Sequence, residues 1–181
     1  ERAAAVCAEV SRDRGVVVVA NHNSADQLAV SGERAAVAAA AEALRAAGAK
    51  RVIPLPVSGA FHSPLLEPAA AAFAADLARV EIGEPGVPLY ANVSAAPATD
   101  AAAVREGLAR QLTAAVRWHE SMAAMVAAAS AALGQPVFLE VGPGQVLSNL
   151  AKRDWRAARF VPVGTAADLD TVVDNLRSAL T

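Results

Sequence analysis

Short runs of β-branched residues alternate along the chain with longer stretches rich in alanine, leucine and arginine. β-Branched side chains favour strands, whereas alanine, leucine, glutamate and arginine favour helices. The alternation therefore predicts an α/β protein. Residues 1–57 show the order helix, strand, strand, helix, strand. The elements predicted there are a helix at 1–13, strands at 16–20 and 27–31, a helix at 33–47 and a strand at 50–57.

The order of elements in residues 1–57 matches a βαββαβ ferredoxin-like unit that lacks its first strand. We therefore predict an incomplete ferredoxin-like small subdomain over residues 1–57. The first predicted helix begins at residue 1 with no cap before it, and the chain opens with Glu1 rather than Met. For both reasons we expect this sequence to be cut from a longer chain.

Residues 58–181 continue the alternation and form the second predicted part of the chain. The run Val137–Val141 is typical of a strand that is buried on both faces of a sheet. Strands that alternate with helices favour a parallel or mostly parallel sheet. The elements predicted here are helices at 66–80, 99–114, 118–133, 145–154 and 167–180, and strands at 88–93, 137–141 and 159–163.

Composition argues against several classes of function. The net charge is −2 and charged residues make up 19%, so a basic surface for nucleic acid is not expected. Although 48 residues are alanine, the larger apolar side chains still suffice for a core. Cys7 is the one cysteine, so we expect neither a disulfide framework nor a Cys-rich zinc site. The apolar runs are too short for a membrane span, and we expect no signal peptide and a cytoplasmic location.

Three histidines are candidates for acid–base chemistry. His62 stands in a loop that enters a helix, where a histidine either exchanges protons near neutral pH or simply bonds to the turn backbone. His22 and His119 are better explained as turn or helix-surface residues, and no pair of histidines has metal-ligand spacing. Gly142-Pro143-Gly144 is either a plain strand-to-helix turn or a set of N–H groups that binds phosphate at a helix start. The residues alone leave these alternatives open.

Five short motifs, each weak alone, occur in a fixed order over nearly the whole chain. They are ANHNSADQ followed by VSG (20–32), PVSGAFHSP (56–64), LYANV (89–93), QL followed by VRW and ESM (111–122), and EVGPGQVL followed by L and KR (140–153). In this order they resemble the sequences of the malonyl-CoA:acyl-carrier-protein transacylase family.

The resemblance implies an α/β-hydrolase-like lobe, of which residues 58–181 would be the C-terminal part, with the ferredoxin-like lobe inserted into it. It implies a serine acyltransferase that takes malonyl from coenzyme A and passes it to the phosphopantetheine thiol of an acyl carrier protein. No metal and no cofactor are implied. The pathway would be either fatty acid or polyketide biosynthesis.

The resemblance also assigns roles to five residues. His62 would be the general base that activates the serine and later protonates the leaving thiolate. Gln111 would orient the imidazole through its main-chain carbonyl. Phe61 would crowd the α-methyl of methylmalonyl and so favour malonyl, although simple loop packing is the alternative. Asn23 and Gln27 would contact substrate from the small lobe.

The sequence departs from the family pattern in two ways. Ala25 and Ala115 stand where the family has proline, which loosens two turns. The family nucleophile lies on a Gly-His-Ser-x-Gly elbow, and none of the serines here has that setting. We therefore expect the serine upstream of this chain. The alternatives are a noncatalytic fragment that binds a carrier protein, a chain that complements a second, nucleophile-bearing chain, and a free-standing ferredoxin-like regulatory domain.

Overall fold

The computed structural model describes residues 1–179, and the side chains of residues 1–174. Leu180, the predicted end of the last helix, lies outside the described residues. The described part is a mixed α/β structure, as predicted. Its elements are α1 (Arg2–Arg14), β1 (Val17–Ser24), β2 (Gln27–Gly32), α2 (Arg34–Ala46), α3 (Glu67–Leu77), β3 (Leu89–Ala91), β4 (Ala96–Ala98), α4 (Ala101–Gln111), α5 (Trp118–Leu133), β5 (Val137–Val141), α6 (Val146–Asp154), β6 (Arg159–Val163) and α7 (Ala166–Ala179).

The chain forms two compact units, Glu1–Ser121 and the part from Met122 onward. The first unit holds the antiparallel pairs β1–β2 and β3–β4, and the second holds the parallel pair β5–β6. The boundary predicted between residues 57 and 58 lies inside the first unit. The assignment of its two sides to separate lobes stays a prediction.

In the first unit, α1 and α2 pack against the β1–β2 hairpin. Their buried contacts are small side chains, Cys7, Ala36 and Ala40, which meet Val17 of β1. Small residues let the helices approach the sheet closely, which explains how an alanine-rich sequence builds a dense core. Gly32 is required at the end of β2, because a Cβ there would lie 2.0 Å from the carbonyl oxygen of Val16.

The strand predicted at 50–57 does not form. Ile53, Leu55 and Val57 are 61–62% exposed. The Val57 N–H donates to the Leu55 carbonyl over 2.9 Å, which closes a tight turn instead of a ladder. The prediction was wrong because a β-prone run becomes a strand only beside a partner strand, and Pro54 and Pro56 have no N–H to donate.

The predicted parallel pairing is confirmed in the second unit, where β5 pairs with β6 in register from Val137↔Arg159 to Val141↔Val163. The rings of Phe138 and Phe160 stack with their centroids 5.2 Å apart. The prediction that β5 is buried on both faces is wrong for one face of the strand. That face carries Val137, Leu139 and Val141, whose side chains are 38–80% exposed.

The Gly142-Pro143-Gly144 turn leads into α6. Backbone N–H groups in the first turn of α6 already have a hydrogen-bond acceptor within the chain. The Glu140 carboxylate accepts from the N–H of Leu147 over 3.0 Å and from that of Ser148 over 2.8 Å. Burial raises the pKa of Glu140, but the hydrogen bonds from Ser148 and Leu147 outweigh it and lower this pKa below its ordinary value. The structure therefore favours the plain strand-to-helix turn over a phosphate site, because an internal carboxylate holds these donors.

We expect Glu140→Ala to lower the free energy of unfolding by about 1 kcal/mol, as for the loss of a helix cap. A carboxylate whose pKa is lowered by folding stabilises the protein above its unfolded pKa, and this contribution disappears as the pH falls through the folded value. The difference in the free energy of unfolding between wild type and variant, measured by urea denaturation, should have its full size at pH 7. It should become smaller as the pH falls below 4.5, the ordinary pKa of a glutamate side chain. Glu140→Gln has no charge to titrate, and a pH-dependent stability loss of the same form in it would contradict this account.

Candidate active site

His62 lies in a short loop that is fixed on its C-terminal side. Ser63 is fully buried, and its Oγ donates to the Ala60 carbonyl over 2.6 Å. Pro64 then opens a single 3-10 turn that leads into α3. The backbone of His62 has φ of +56°, a left-handed conformation that costs a non-glycine residue about 1–2 kcal/mol. The loop thus holds the histidine in a conformation that the free chain would rarely adopt.

The His62 ring faces two main-chain carbonyls. Nδ1 lies 3.2 Å from the Gln111 oxygen and 3.1 Å from the Ala114 oxygen. Because carbonyl oxygens only accept hydrogen bonds, Nδ1 must carry the proton. In the neutral ring the lone pair is then at Nε2, which makes that nitrogen the base. Sequence analysis named Gln111 and missed Ala114, since a main-chain acceptor leaves no mark on the type of residue.

The two carbonyls belong to a segment, residues 111–117, that links α4 to α5 and is bridged by Asn92. The Asn92 Nδ2 group donates to Gln111 Oε1 over 2.8 Å and to the Ala115 carbonyl over 3.0 Å. Its Oδ1 accepts from the Arg117 N–H over 2.8 Å. Asn92 follows β3 directly, within the LYANV motif, and its place in that motif was the only sequence signal of a role.

The same segment is attached to β1 on another side. The Val116 N–H donates to the Ala20 carbonyl and its carbonyl accepts from the His22 N–H, each over 2.7 Å. These two bonds form an isolated parallel bridge between Asn21 and Val116. The β1–β2 hairpin is thereby connected to the residues that hold His62.

Arg117 continues the network toward α5. Its Nη1 donates to the Val93 carbonyl over 3.0 Å and its Nε to Glu120 Oε1 over 3.1 Å. The hydrogen bond from Arg117 lowers the pKa of Glu120, and the same contact raises the pKa of the Arg117 guanidinium. The rings of His22 and His119 lie beside this pair with their centroids 5.1 Å apart. His22 lies in β1, whereas the sequence analysis expected a turn there.

The three residues with predicted substrate contacts are distributed over two places. Phe61 precedes His62, is 53% exposed, and has its ring over Gly59, where a Cβ would lie 3.0 Å from the ring. Asn23 lies in β1 at an irregularity of the register between His22 and Ser24, and Gln27 opens β2 opposite Ser24. Within the described residues no hydrogen bond joins Asn23 or Gln27 to the His62 loop. The roles of all three residues in binding stay predictions.

Within residues 1–179, no three His, Cys, Asp or Glu side chains lie together in a way that would hold a metal ion. Among the helices described there, none is both long and apolar enough to cross a membrane.

Comparison with known proteins identifies the family. The sequence profile of the acyl transferase domain matches residues 2–175. The chain is 43% identical over 145 residues to the malonyl CoA-acyl carrier protein transacylase of Salmonella typhimurium, a match that covers 80% of this chain and 45% of that protein. It is 36% identical over 169 residues to the Bacillus subtilis transacylase of the same name, covering 93% and 52%.

Solved structures show the same likeness. A malonyl-transacylase solved in complex with the acyl-carrier protein of a type II polyketide synthase matches with a TM-score of 0.86 and 37% identity, covering 96% of this chain and 54% of that one. The enzyme from Streptococcus pneumoniae matches with a TM-score of 0.86 and 38% identity over the same shares.

This chain belongs to the acyl transferase domain family. Within that family it resembles the malonyl-CoA:acyl-carrier-protein transacylases, which confirms the resemblance predicted from the five motifs. The chain spans about half the length of the curated relatives that it matches.

Proposed function

We propose that this chain supplies the histidine-bearing part of a malonyl-CoA:acyl-carrier-protein transacylase. The observation that supports this function most directly is the pair of carbonyl oxygens at His62 Nδ1. They leave Nε2 as a base, which is what a Ser-His acyl transfer needs. None of the serines in the sequence lies in a Gly-x-Ser-x-Gly elbow, so the nucleophile is proposed to lie on polypeptide outside these 181 residues.

The proposed reaction has two half-reactions with one base. The serine hydroxyl attacks the malonyl thioester carbonyl while its proton moves to His62 Nε2, and the thiolate of coenzyme A leaves with that proton. The phosphopantetheine thiol of the carrier protein then gives its proton to Nε2 and attacks the acyl-serine ester. The proton returns to the serine oxygen as it leaves. Neither step needs a metal or an organic cofactor.

The finer description of the fold belongs to the same proposal. Residues 1–57 would be the ferredoxin-like small lobe and residues 58–181 the C-terminal part of the α/β-hydrolase-like lobe. The helix, strand, strand, helix order of α1 to α2 supports the first assignment. The TM-score of 0.86 against two transacylases, each about twice as long as this chain, supports the second.

The proposed partners are malonyl-CoA and an acyl carrier protein. One of the matching structures is a malonyl-transacylase bound to the acyl-carrier protein of a type II polyketide synthase. Phe61 would contact the acyl group because it is the residue before His62 and is exposed beside it. Asn23 and Gln27 would contact substrate from the hairpin, which is connected to residues 111–117 through Val116.

A second candidate follows from the share of the relatives that is covered. Because the chain matches 45–52% of two transacylases, it is alternatively a noncatalytic fragment that binds a carrier protein or complements a separate chain with the serine. A fragment that only binds a carrier protein differs from the first candidate in that its His62 takes no part in a covalent cycle.

Intact-mass spectrometry tests the proposal. A hybrid in which this chain replaces the matching part of the Bacillus subtilis relative should gain one malonyl group from malonyl-CoA and lose it to phosphopantetheinyl carrier protein. The 181-residue chain alone should gain none, because its own serines lack the elbow. Labelling of the isolated chain would contradict the proposed location of the nucleophile, and an unlabelled but folded hybrid would favour the noncatalytic candidate.

A further inference from the structure

We propose that Asn92 is a positioning residue for His62: it holds residues 111–117 so that two carbonyls of that segment receive the Nδ1 proton. The catalytic consequence rests on the proposed function, whereas the effect on the state of the His62 ring does not. The sequence motifs alone assigned no role to Asn92.

The hydrogen bonds of Asn92 reach both ends of the segment. Its amide nitrogen bonds to the Gln111 side chain at the end of α4 and to the Ala115 carbonyl in the middle. Its oxygen takes the N–H of Arg117 just before α5 begins. Both hydrogens and the oxygen of the Asn92 side-chain amide therefore bond to one stretch of seven residues. Only an amide side chain of this length offers two donors and an acceptor at these positions.

Apart from Asn92, backbone hydrogen bonds hold the segment at Ala114, whose N–H donates to the Arg110 carbonyl over 3.1 Å, and at Val116. α4 ends at Gln111 and α5 begins at Trp118, and both carbonyls that face His62 lie at or after the end of α4. The Val116 bridge to β1 fixes one point of the segment and leaves the carbonyls of Gln111 and Ala114 four or more bonds of chain away. Asn92 is attached on both sides of Ala114, which limits how far that carbonyl can turn from the ring.

Loss of this attachment has a chemical consequence. When the two carbonyls turn away, the Nδ1 proton loses both of its acceptors, and the neutral ring then also populates the form protonated at Nε2. That form has no lone pair at Nε2 and does not act as the base of the proposed reaction. The position of Asn92 thus affects the fraction of His62 that is ready to react.

Asn92→Asp is the most specific test of this role, because aspartate has the same shape as asparagine and keeps the oxygen that accepts from the Arg117 N–H. It loses both donors and places a carboxylate against Gln111 Oε1 and the Ala115 carbonyl. Ser94→Ala is the matched control, since Ser94 lies two residues away in the same turn and its Oγ bonds, among the described residues, only to the backbone of Ala91 and Ala96.

The first measurement is long-range 1H–15N correlation of the histidine rings in the 181-residue chain, with the His62 signals identified through His62→Asn. We expect wild type and Ser94→Ala to show the proton at Nδ1, and Asn92→Asp to show a mixture of both neutral forms. An unchanged His62 tautomer in a folded Asn92→Asp chain would overturn the proposal. Should that variant not fold, Gln111→Ala removes one of the two Asn92 donor contacts and should shift the tautomer in the same direction; an unchanged tautomer there would also overturn it.

The second measurement is malonyl transfer by the hybrid protein. Asn92→Asp should lower kcat about 10- to 100-fold, the scale of a misplaced catalytic group, with little change in KM. A loss confined to KM would contradict a positioning role. Because the tautomer is read without turnover, an inactive wild-type hybrid would refute the proposed function and leave the test of Asn92 standing.

Discussion

Replacing His62 with alanine should lower malonyl transfer by about three orders of magnitude, the scale of a lost general acid–base catalyst. Without the imidazole, the serine proton has no acceptor and the leaving thiolate has no donor. The geometry supports a large effect, because two carbonyls hold Nδ1 and leave Nε2 as the base. The variant should still fold, since the ring is only partly buried.

The left-handed backbone at His62 calls for a second variant. Alanine at φ of +56° adds strain of about 1 kcal/mol, whereas asparagine adopts this conformation readily. His62→Asn should therefore match His62→Ala in lost activity and exceed it in stability. The measurement is single-turnover transfer by the hybrid, with His22→Gln as the control because that change keeps the backbone contact to Val116. Near-normal activity of either His62 variant would refute the base assignment.

Local patterns predicted the elements that depend on local sequence. The bounds predicted for α5, β5 and β6 agree with the structure, because a helix forms its own hydrogen bonds and β5 and β6 are two short apolar runs that pair with each other. The strand expected at 50–57 had the right composition. It did not form because a strand also needs a partner beside it, which composition does not specify.

The candidate site also depends on contacts that local sequence patterns do not predict. His62 and Gln111 were predicted from motifs that resemble a family. Asn92 was not, although it makes three of the hydrogen bonds that hold the segment. Those contacts join residues 19 to 25 positions apart in sequence, and periodicity says nothing about such pairs. Ala114 contributes only a carbonyl, which any residue would supply.

The second large effect concerns the choice of acyl group. Phe61 precedes His62 and is half exposed, and under the proposed function its ring would lie beside the acyl group. A methyl group that meets a bulky ring is disfavoured by roughly 1–3 kcal/mol. Phe61→Ser removes the ring, and we expect the ratio of kcat/KM for methylmalonyl-CoA over malonyl-CoA to rise about 10- to 100-fold.

Phe61→Tyr separates selectivity from loop packing. The tyrosine ring keeps its place over Gly59, where the phenylalanine ring lies 3.0 Å from the position of a Cβ. It should therefore keep the wild-type ratio, whereas a serine both opens the site and loosens the loop. If loop packing were the sole role of Phe61, Phe61→Ser would slow both substrates equally because His62 would be displaced for both. If Phe61→Ser changes the ratio of kcat/KM for the two substrates with only a modest loss of activity on malonyl-CoA, Phe61 contacts the substituent on the α-carbon of the acyl group. An unchanged ratio would exclude that role.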